Sequence, residues 1–246
     1  MTTRPELDRH CGPAVVAALF AARPQDVMRL FHTAERRRDA GPHCAVMARL
    51  RRPYREVPAA ELARVAGTQH HGGLVALALP RPVPALDPHR LPPAIAGSRV
   101  TPVLDGIGNP HNLGAIARSA AFFGCRAMVL SGDPRQAGLS DAAFRTSEGG
   151  IEALELFRAE DLPIALRGLS PRIRTVAAVA RGGLPPDRIP RDVAIALVLG
   201  NEENGLAPAT LNACALRVTL PPAGPVESLN VSVAAAVLIH ALGGPT

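Results

Sequence analysis

From residue 98 onward, short uninterrupted apolar runs alternate with stretches of helical period. Val100-Thr101-Pro102-Val103-Leu104 belongs to a run over 99–104, and the others fall at 127–131, 174–180, 193–199 and 216–220. Helices are expected over 113–123, around 140–145, and over 160–168, 207–213 and 229–242. Strands without polar alternation are buried on both faces, so this succession predicts a parallel sheet covered by helices on each side. The pattern before residue 80 is sparser. A helix is expected from Pro13 to Phe20, with Pro in its first turn. A short apolar run follows from Val27 to Phe31, then helices over 44–51 and 59–65. The turn 67–73 leads into a strand over 74–79.

Between these regions lies PRPVPALDPHRLPPAIAG, residues 80–97, with prolines at 80, 82, 84, 88, 92 and 93. Proline at that density favours an extended linker. The expected fold class is therefore α/β in two parts: a small α/β domain over 1–79, the linker over 80–97, and a parallel-sheet domain over 98–246.

Composition sharpens this division. Hydrophobic residues make up 47% of the 246, enough for a sizeable core, but aromatics only 3%. No apolar run reaches the roughly 18–20 residues of a membrane span. The opening MTTRPELDRH lacks the apolar centre of a signal peptide. Cys11, Cys44, Cys125 and Cys214 show no CxxC or zinc-like spacing. A cytoplasmic protein with reduced thiols is expected. The net charge of +6 is unevenly placed: residues 1–97 hold 14 Arg against 8 Asp and Glu, residues 98–246 hold 13 against 13, and Lys is absent. The basic excess points to a polyanionic partner for the first domain. Arg36, Arg37 and Arg38, then Arg51 and Arg52 with Arg55, are candidate phosphate contacts. A solvated helix end accounts for any one of them; the excess over the whole segment is the stronger sign of nucleic acid.

Ligands of open parallel sheets bind beyond the carboxyl ends of the strands. Three loops there are rich in Gly and polar side chains: 108–114 with Asn109, His111 and Asn112; 200–205, reading GNEENG; and 221–230 with Glu227, Ser228 and Asn230. Capping by Asn112 or Ser228 explains one polar side chain per loop. It does not explain Arg118, one turn or more into an apolar helix, or Asn230 and Ser232 after Ser228. A buried cation and buried amides need partners, so a shared polar pocket with Arg118, Glu202 and Asn230 is expected. There is no GxxxxGK[ST], no GxGxxG after a strand and no GxSxG. His70 and His71 have no carboxylate or Cys at ligand spacing, so no metal is expected.

The three loops resemble the motifs of the SpoU, or TrmH-like, RNA 2′-O-ribose methyltransferases of the SPOUT superfamily. NxGxxxR matches at Asn112, Gly114 and Arg118; LGxExxG at Leu199, Gly200, Glu202 and Gly205; SLNVSVA at Ser228 to Ala234. The first domain is similar to this family's substrate-binding domain through Gly12-Pro13-Ala14-Val15 and His71-Gly72-Gly73-Leu74-Val75. The resemblance implies a C-terminal trefoil knot in the parallel-sheet domain, an exception among protein topologies. It also implies S-adenosylmethionine as cofactor, bound at Leu199, Gly200, Leu220, Ser228 and Leu229 mainly through backbone. A homodimer with its active site at the subunit interface is implied as well, for which the apolar helix over 229–242 is a candidate face; a buried core helix is the alternative. Two positions depart from the family pattern: Glu203 stands where Gly is usual, and Pro222 where Met is usual.

The implied activity is methyl transfer to a ribose 2′-hydroxyl of rRNA or tRNA, an in-line displacement that needs alignment and help with one proton. The resemblance gives Arg118 the central role. A guanidinium keeps its proton, with a pKa above about 12, which favours a clamp on the phosphate beside the target ribose, engaged only when substrate binds; general base is the other reading. Asn112 and Asn230 would orient Arg118 and the ribose, Glu202 would hold one of these groups, and Ser228 would support the cofactor loop or the hydroxyl. The alternatives are a non-catalytic RNA-binding protein that retains the fold, and a knotted methyltransferase acting on a base nitrogen.

Overall fold

The protein is described from a computed structural model covering residues 6–170 and 172–244, so the first half of MTTRPELDRH lies outside the described residues. In chain order its elements are β1 (Asp8–Cys11), α1 (Pro13–Ala22), β2 (Val27–His32), α2 (Arg37–Arg49), β3 (Tyr54–Glu56), α3 (Ala59–Ala66), β4 (Leu74–Ala78), α4 (Pro93–Ala96), β5 (Val100–Asp105), α5 (Pro110–Phe122), β6 (Ala127–Ser131), α6 (Asp141–Ser147), α7 (Gly150–Ala153), β7 (Glu155–Ala159), α8 (Leu162–Leu169), β8 (Arg174–Ala178), β9 (Ile195–Gly200), α9 (Pro208–Ala213), β10 (Leu216–Val218) and α10 (Val231–Gly243). Two compact units divide the chain, Met1–Pro82 with Leu139–Ala153, and Val83–Gly138 with Leu154–Thr246. No helix of the described residues is long and apolar enough to cross a membrane.

The first unit is built on a four-stranded sheet in the order β1-β4-β2-β3, antiparallel except for the parallel pair β2 and β3. Alternation along its strands separates two cores. Leu30, Leu74 and Ala76 face α1 and α2, burying Val16, Leu19, Ala40 and Met47. Phe31, Val75 and Leu77 face the opposite way, onto Leu62 and Ala66 of α3. Helix α2 begins at Arg37, not at 44 as its apolar pattern suggests, and carries Pro42 inside it. Both Gly41 and Pro42 are exposed, so water can serve the carbonyl that loses its donor. Segment 139–153 completes this unit: Phe144 is buried against the His10 ring, their centroids 4.2 Å apart. Glu152, also buried, takes bonds from Arg23 Nη2 (3.0 Å) and Arg81 Nη1 (3.0 Å).

The second unit holds six parallel strands in the order β10-β8-β9-β5-β6-β7. The five expected runs became β5, β6, β8, β9 and β10, and β5, β6 and β9 are buried almost throughout. The sixth, β7, has no counterpart among the expected elements: it is an edge strand whose Glu155 and Arg158 are exposed, so it lacks the apolar run of its neighbours. One face of the sheet packs on Leu166 and Leu169 of α8 and Ala213 of α9. On α10, which packs against α5, β5 and β9, Ala235, Leu238, Ile239 and Leu242 are buried. Residues 83–97, expected to be extended, lie on this unit. Leu86 N–H donates to Arg158 O (2.7 Å), and α4 buries Ala94 and Ile95. Pro92 and Pro93 stand where a helix start needs no N–H, which lets a proline-rich stretch form that turn.

Candidate active site

Strand order reverses between β5 and β9: the chain runs outward from β5 to β6 and β7, then crosses to β8 and returns to β9 beside β5. Their carboxyl ends therefore open a crevice at a topological switch point. The loop after β9 closes on itself there. Asn201 and Gly205 exchange backbone hydrogen bonds (3.1 and 2.9 Å), and Asn201 Oδ1 accepts from the N–H groups of Glu203 and Asn204 (3.0 and 3.1 Å). Asn201 Nδ2 donates to Gly106 O (2.8 Å), fastening this loop to the end of β5. Gly200 cannot be replaced in this arrangement, since a Cβ would lie 2.5 Å from the Gly205 carbonyl carbon. Sequence reasoning assigned Asn201 no role; its place between the last strand residue and Glu202 was the available signal.

Three of the expected site residues meet. Asn112 Nδ2 donates to Glu202 Oε1 (2.6 Å), and Asn230 Nδ2 donates to Asn112 Oδ1 (3.2 Å). Asn230 Oδ1 in turn accepts from the Ser232 N–H (2.9 Å) and hydroxyl (2.6 Å). The helix caps differ from those considered from sequence. Asn109 caps α5 through the His111 N–H (2.9 Å), which leaves the buried Asn112 side chain free for Glu202. Asn230, not Ser228, caps α10. At the end of β5, burial raises the Asp105 carboxyl above its ordinary range, opposed by a hydrogen bond from Thr210.

Arg118 stands differently from the expectation. It is exposed on α5, not buried, and it has an interaction of its own within the protein, so it does not wait for a substrate phosphate as its first partner. Six residues along a helix from Asn112, it lies about 9 Å further on and about 120° around the axis. Ser228 and Asn230 are likewise exposed.

Beside the Asn112 group lies a cavity of about 800 Å³. Leu199, Gly200, Leu220, Ser228 and Leu229 all line it. Glu203 and Pro222 line it too, and neither strains the backbone: among the described residues only Arg51 and Glu148 are non-glycines with positive φ. The usual Gly at position 203 is thus not demanded here by a left-handed conformation. Loop residues 220–229 take part in no backbone–backbone hydrogen bond among the described residues, which leaves their C=O groups, and the N–H groups of all but Pro221, Pro222 and Pro225, available beside the cavity.

In the first unit, the five candidate RNA-contacting arginines are in different states. Arg38 and Arg51 are exposed and in no ion pair among the described residues. Arg37 grips Glu56 at two points (2.8 and 2.9 Å), and Arg36 donates to Gly72 O (3.1 Å) and Asp39 (2.9 Å). Arg52 donates to the carbonyls of Gln25 and Val27, a structural engagement that pins the start of β2.

Against known proteins, residues 99–240 match the SpoU rRNA Methylase family, and residues 11–83 match the RNA 2'-O ribose methyltransferase substrate binding family. An "Uncharacterized tRNA/rRNA methyltransferase" of Mycobacterium ulcerans (strain Agy99) is 37% identical over 193 residues, which is 76% of this chain and 60% of the relative. The 23S rRNA (guanosine-2'-O-)-methyltransferase RlmB of Nitrosomonas europaea is 37% identical over 138 residues, 56% of this chain and 53% of that protein. This chain thus spans about 60% of the length of the first of these. The crystal structure of an AdoMet-bound rRNA methyltransferase from Sinorhizobium meliloti superposes with a TM-score of 0.78 at 22% identity, covering 96% of this chain and 87% of that one. With its family match spanning more than half its residues, the chain belongs to the SpoU rRNA methylase family.

Proposed function

We propose that the protein transfers a methyl group from S-adenosylmethionine to a ribose 2′-hydroxyl of rRNA or tRNA. The observation that carries the reading is the chain Glu202–Asn112–Asn230 at the rim of the 800 Å³ cavity. The cavity suits the cofactor: its volume falls within the roughly 300–1,000 Å³ of small-molecule sites, leucine side chains offer an apolar wall, and the backbone of 220–229 offers unspent donors and acceptors. Leu199, Gly200, Leu220, Ser228 and Leu229 would hold it there. When bound, the cofactor supplies an electrophilic methyl carried on sulfur.

The remaining work falls to this chain's own residues. Glu202 fixes the Asn112 amide so that its oxygen faces Asn230, and the pair presents a rigid polar wall to the ribose. Arg118, exposed on α5, clamps the phosphate beside the target ribose and stabilises the developing alkoxide. The first domain, with its basic excess, supplies the wider RNA grip. A trefoil knot of the C-terminal segment belongs to the same reading, as does cytoplasmic action. So does a homodimer, for which Phe122 (82% exposed), Val233 and Val237 on α5 and α10 offer an apolar face.

The test is transfer of tritiated methyl to total rRNA and total tRNA, with digestion to nucleotides. Label recovered as a ribose-methylated nucleotide from one pool is expected. Arg118→Ala should lower the rate by about 10²–10³ and leave cofactor binding by calorimetry unchanged. Wild-type turnover in that variant removes Arg118 from the chemistry, and absence of both label and cofactor binding overturns the methyltransferase reading.

A further inference from the structure

The first unit has a switch point of its own. Strands β2 and β3 are parallel neighbours, paired from Leu30 with Tyr54 to His32 with Glu56. The chain leaves β2 for α2 on one face of the sheet and leaves β3 for α3 on the other. Two such departures open a crevice beyond the carboxyl ends, and a cavity of about 390 Å³ lies there. Ala34, Val57, Pro58 and Ala59 give it apolar walls, and Glu35 and Glu56 stand among its lining residues. Two carboxylates at a cavity mouth are unexpected in the basic part of the chain, because they repel a phosphate backbone.

We infer that this crevice is a subsite for one unstacked nucleotide of the RNA, with guanine the best-fitting base; the inference rests on the RNA-methyltransferase reading above. Sequence-specific RNA recognition takes splayed bases onto apolar or aromatic surfaces and reads their Watson–Crick edges. The guanine edge carries two adjacent donors, N1–H and the 2-amino group, which match one carboxylate; adenine, cytosine and uracil each set an acceptor next to their donor there, and a carboxylate disfavours them. Glu56 is held by Arg37 at two points, whereas Glu35 has no ion pair or hydrogen bond among the described residues and keeps its lone pairs for the base. Arg38 and Arg55, exposed and outside the ion pairs of the described residues, are placed by sequence beside the same two strand ends and suit the flanking phosphates. The Glu35 carboxylate thereby discriminates between bases, and the arginines supply affinity without discrimination.

The experiment uses the full chain and four hairpin RNAs that differ only in a single bulged nucleotide, G, A, C or U, with affinities read by fluorescence anisotropy. The G hairpin should bind tightest. Glu35→Gln should weaken it about tenfold and leave the other three within about twofold. Ala34→Trp, at an exposed position, should fill the crevice and weaken the G hairpin to the level of the other three; should that variant misfold by circular dichroism, Glu35→Gln carries the test. A guanine preference that survives Glu35→Gln, or equal wild-type affinity for all four hairpins, overturns the subsite. Methyl transfer to total RNA, measured in parallel, separates the outcomes: label with no base preference defeats the subsite alone, and neither label nor binding defeats both readings.

Discussion

Two glutamates anchor polar groups in this protein, and they are solved in opposite ways. Glu152, in the first unit, is 7% exposed and saturated: Arg23 reaches both its oxygens, Arg81 a third time, and Arg81 also donates to Ile151 O. Glu202, in the second, is exposed and bonds one amide, Asn112. A buried charge has to be paired and hydrogen-bonded or it destabilises the fold. An exposed one can be left with free lone pairs, because water serves them until a ligand does. Saturation therefore marks structure here, and incompleteness marks a place prepared for something else.

The sharpest way to break that contrast is to remove Glu152. Glu152→Ala leaves Arg23, about nine-tenths buried, without its main partner and should cost about 3–5 kcal/mol. Urea unfolding followed by circular dichroism would show it as a lower midpoint at unchanged slope. A loss under about 1 kcal/mol, the range of exposed ion pairs, would mean that the group is no more structural than Glu202.

The same group predicts a pH dependence. His10 is fully buried, and its Nε2 lies 3.3 Å from Arg23 Nη2. Arginine can only donate, so Nε2 accepts and the ring is neutral with its proton on Nδ1. Burial, then the charges of Arg23 and Arg81, lower its pKa from 6.5 to about 3. The unfolded chain then binds one more proton than the native state between those values. Stability is fully present above pH 6.5 and should fall by about 1.4 kcal/mol per pH unit on acidification toward pH 3. Asp8, raised by burial, titrates with the opposite sign in the acid range, so the measured quantity is the difference between wild type and His10→Asn. Parallel stability curves for the two proteins would show that His10 is not held neutral.

Much of the second unit was legible because buried parallel strands write themselves as apolar runs; β5, β6 and β9 are read directly. Edge position alone does not hide a strand, since β10 kept its apolar run, but β1, β3 and β7 were not read: they carry Arg9, Arg55 and Arg158 where water covers one side. Nor can a chain read in order show that 139–153 folds with residues 1–82, since contacts distant in sequence reveal it, those of Asp141, Phe144 and Glu152 among them. Among the site residues, Glu202 and Asn230 were recognisable as polar groups needing partners, whereas Asn112, which joins them, could be read from its spacing as a helix cap and entered the site only through the family motif. The exposure of Arg118 was not recognisable, because an arginine among Ala and Ile has the same spacing whether its helix turns it inward or out.

The Glu202 half of the comparison can be sharpened by Glu202→Gln. An amide in place of the carboxylate keeps an oxygen for Asn112 Nδ2 but gives up the charge-assisted bond. Because Glu202 is exposed, stability should move by less than about 0.5 kcal/mol, while methyl transfer should slow about tenfold as Asn112 loses its fixed orientation. A drop in melting temperature with unchanged turnover would place Glu202 with Glu152, as a structural residue.

The smallest effect, and the finest test of what an exposed loop tolerates, concerns the neighbouring residue. Glu203 occupies the position where the family pattern has glycine, yet its φ is not positive, and its N–H is already tied to Asn201 Oδ1. Glycine there would gain no conformation that glutamate lacks. It would add freedom to the unfolded chain, so Glu203→Gly should destabilise by about 0.5–1 kcal/mol. Cofactor affinity by calorimetry should stay within about twofold, since the loop is held by Asn201 and by the close approach of Gly200 to Gly205. A tighter cofactor in Glu203→Gly would mean that the carboxylate itself intrudes on the cavity it lines, and that this loop, unlike the Glu152 group, is limited by a side chain and not by its backbone.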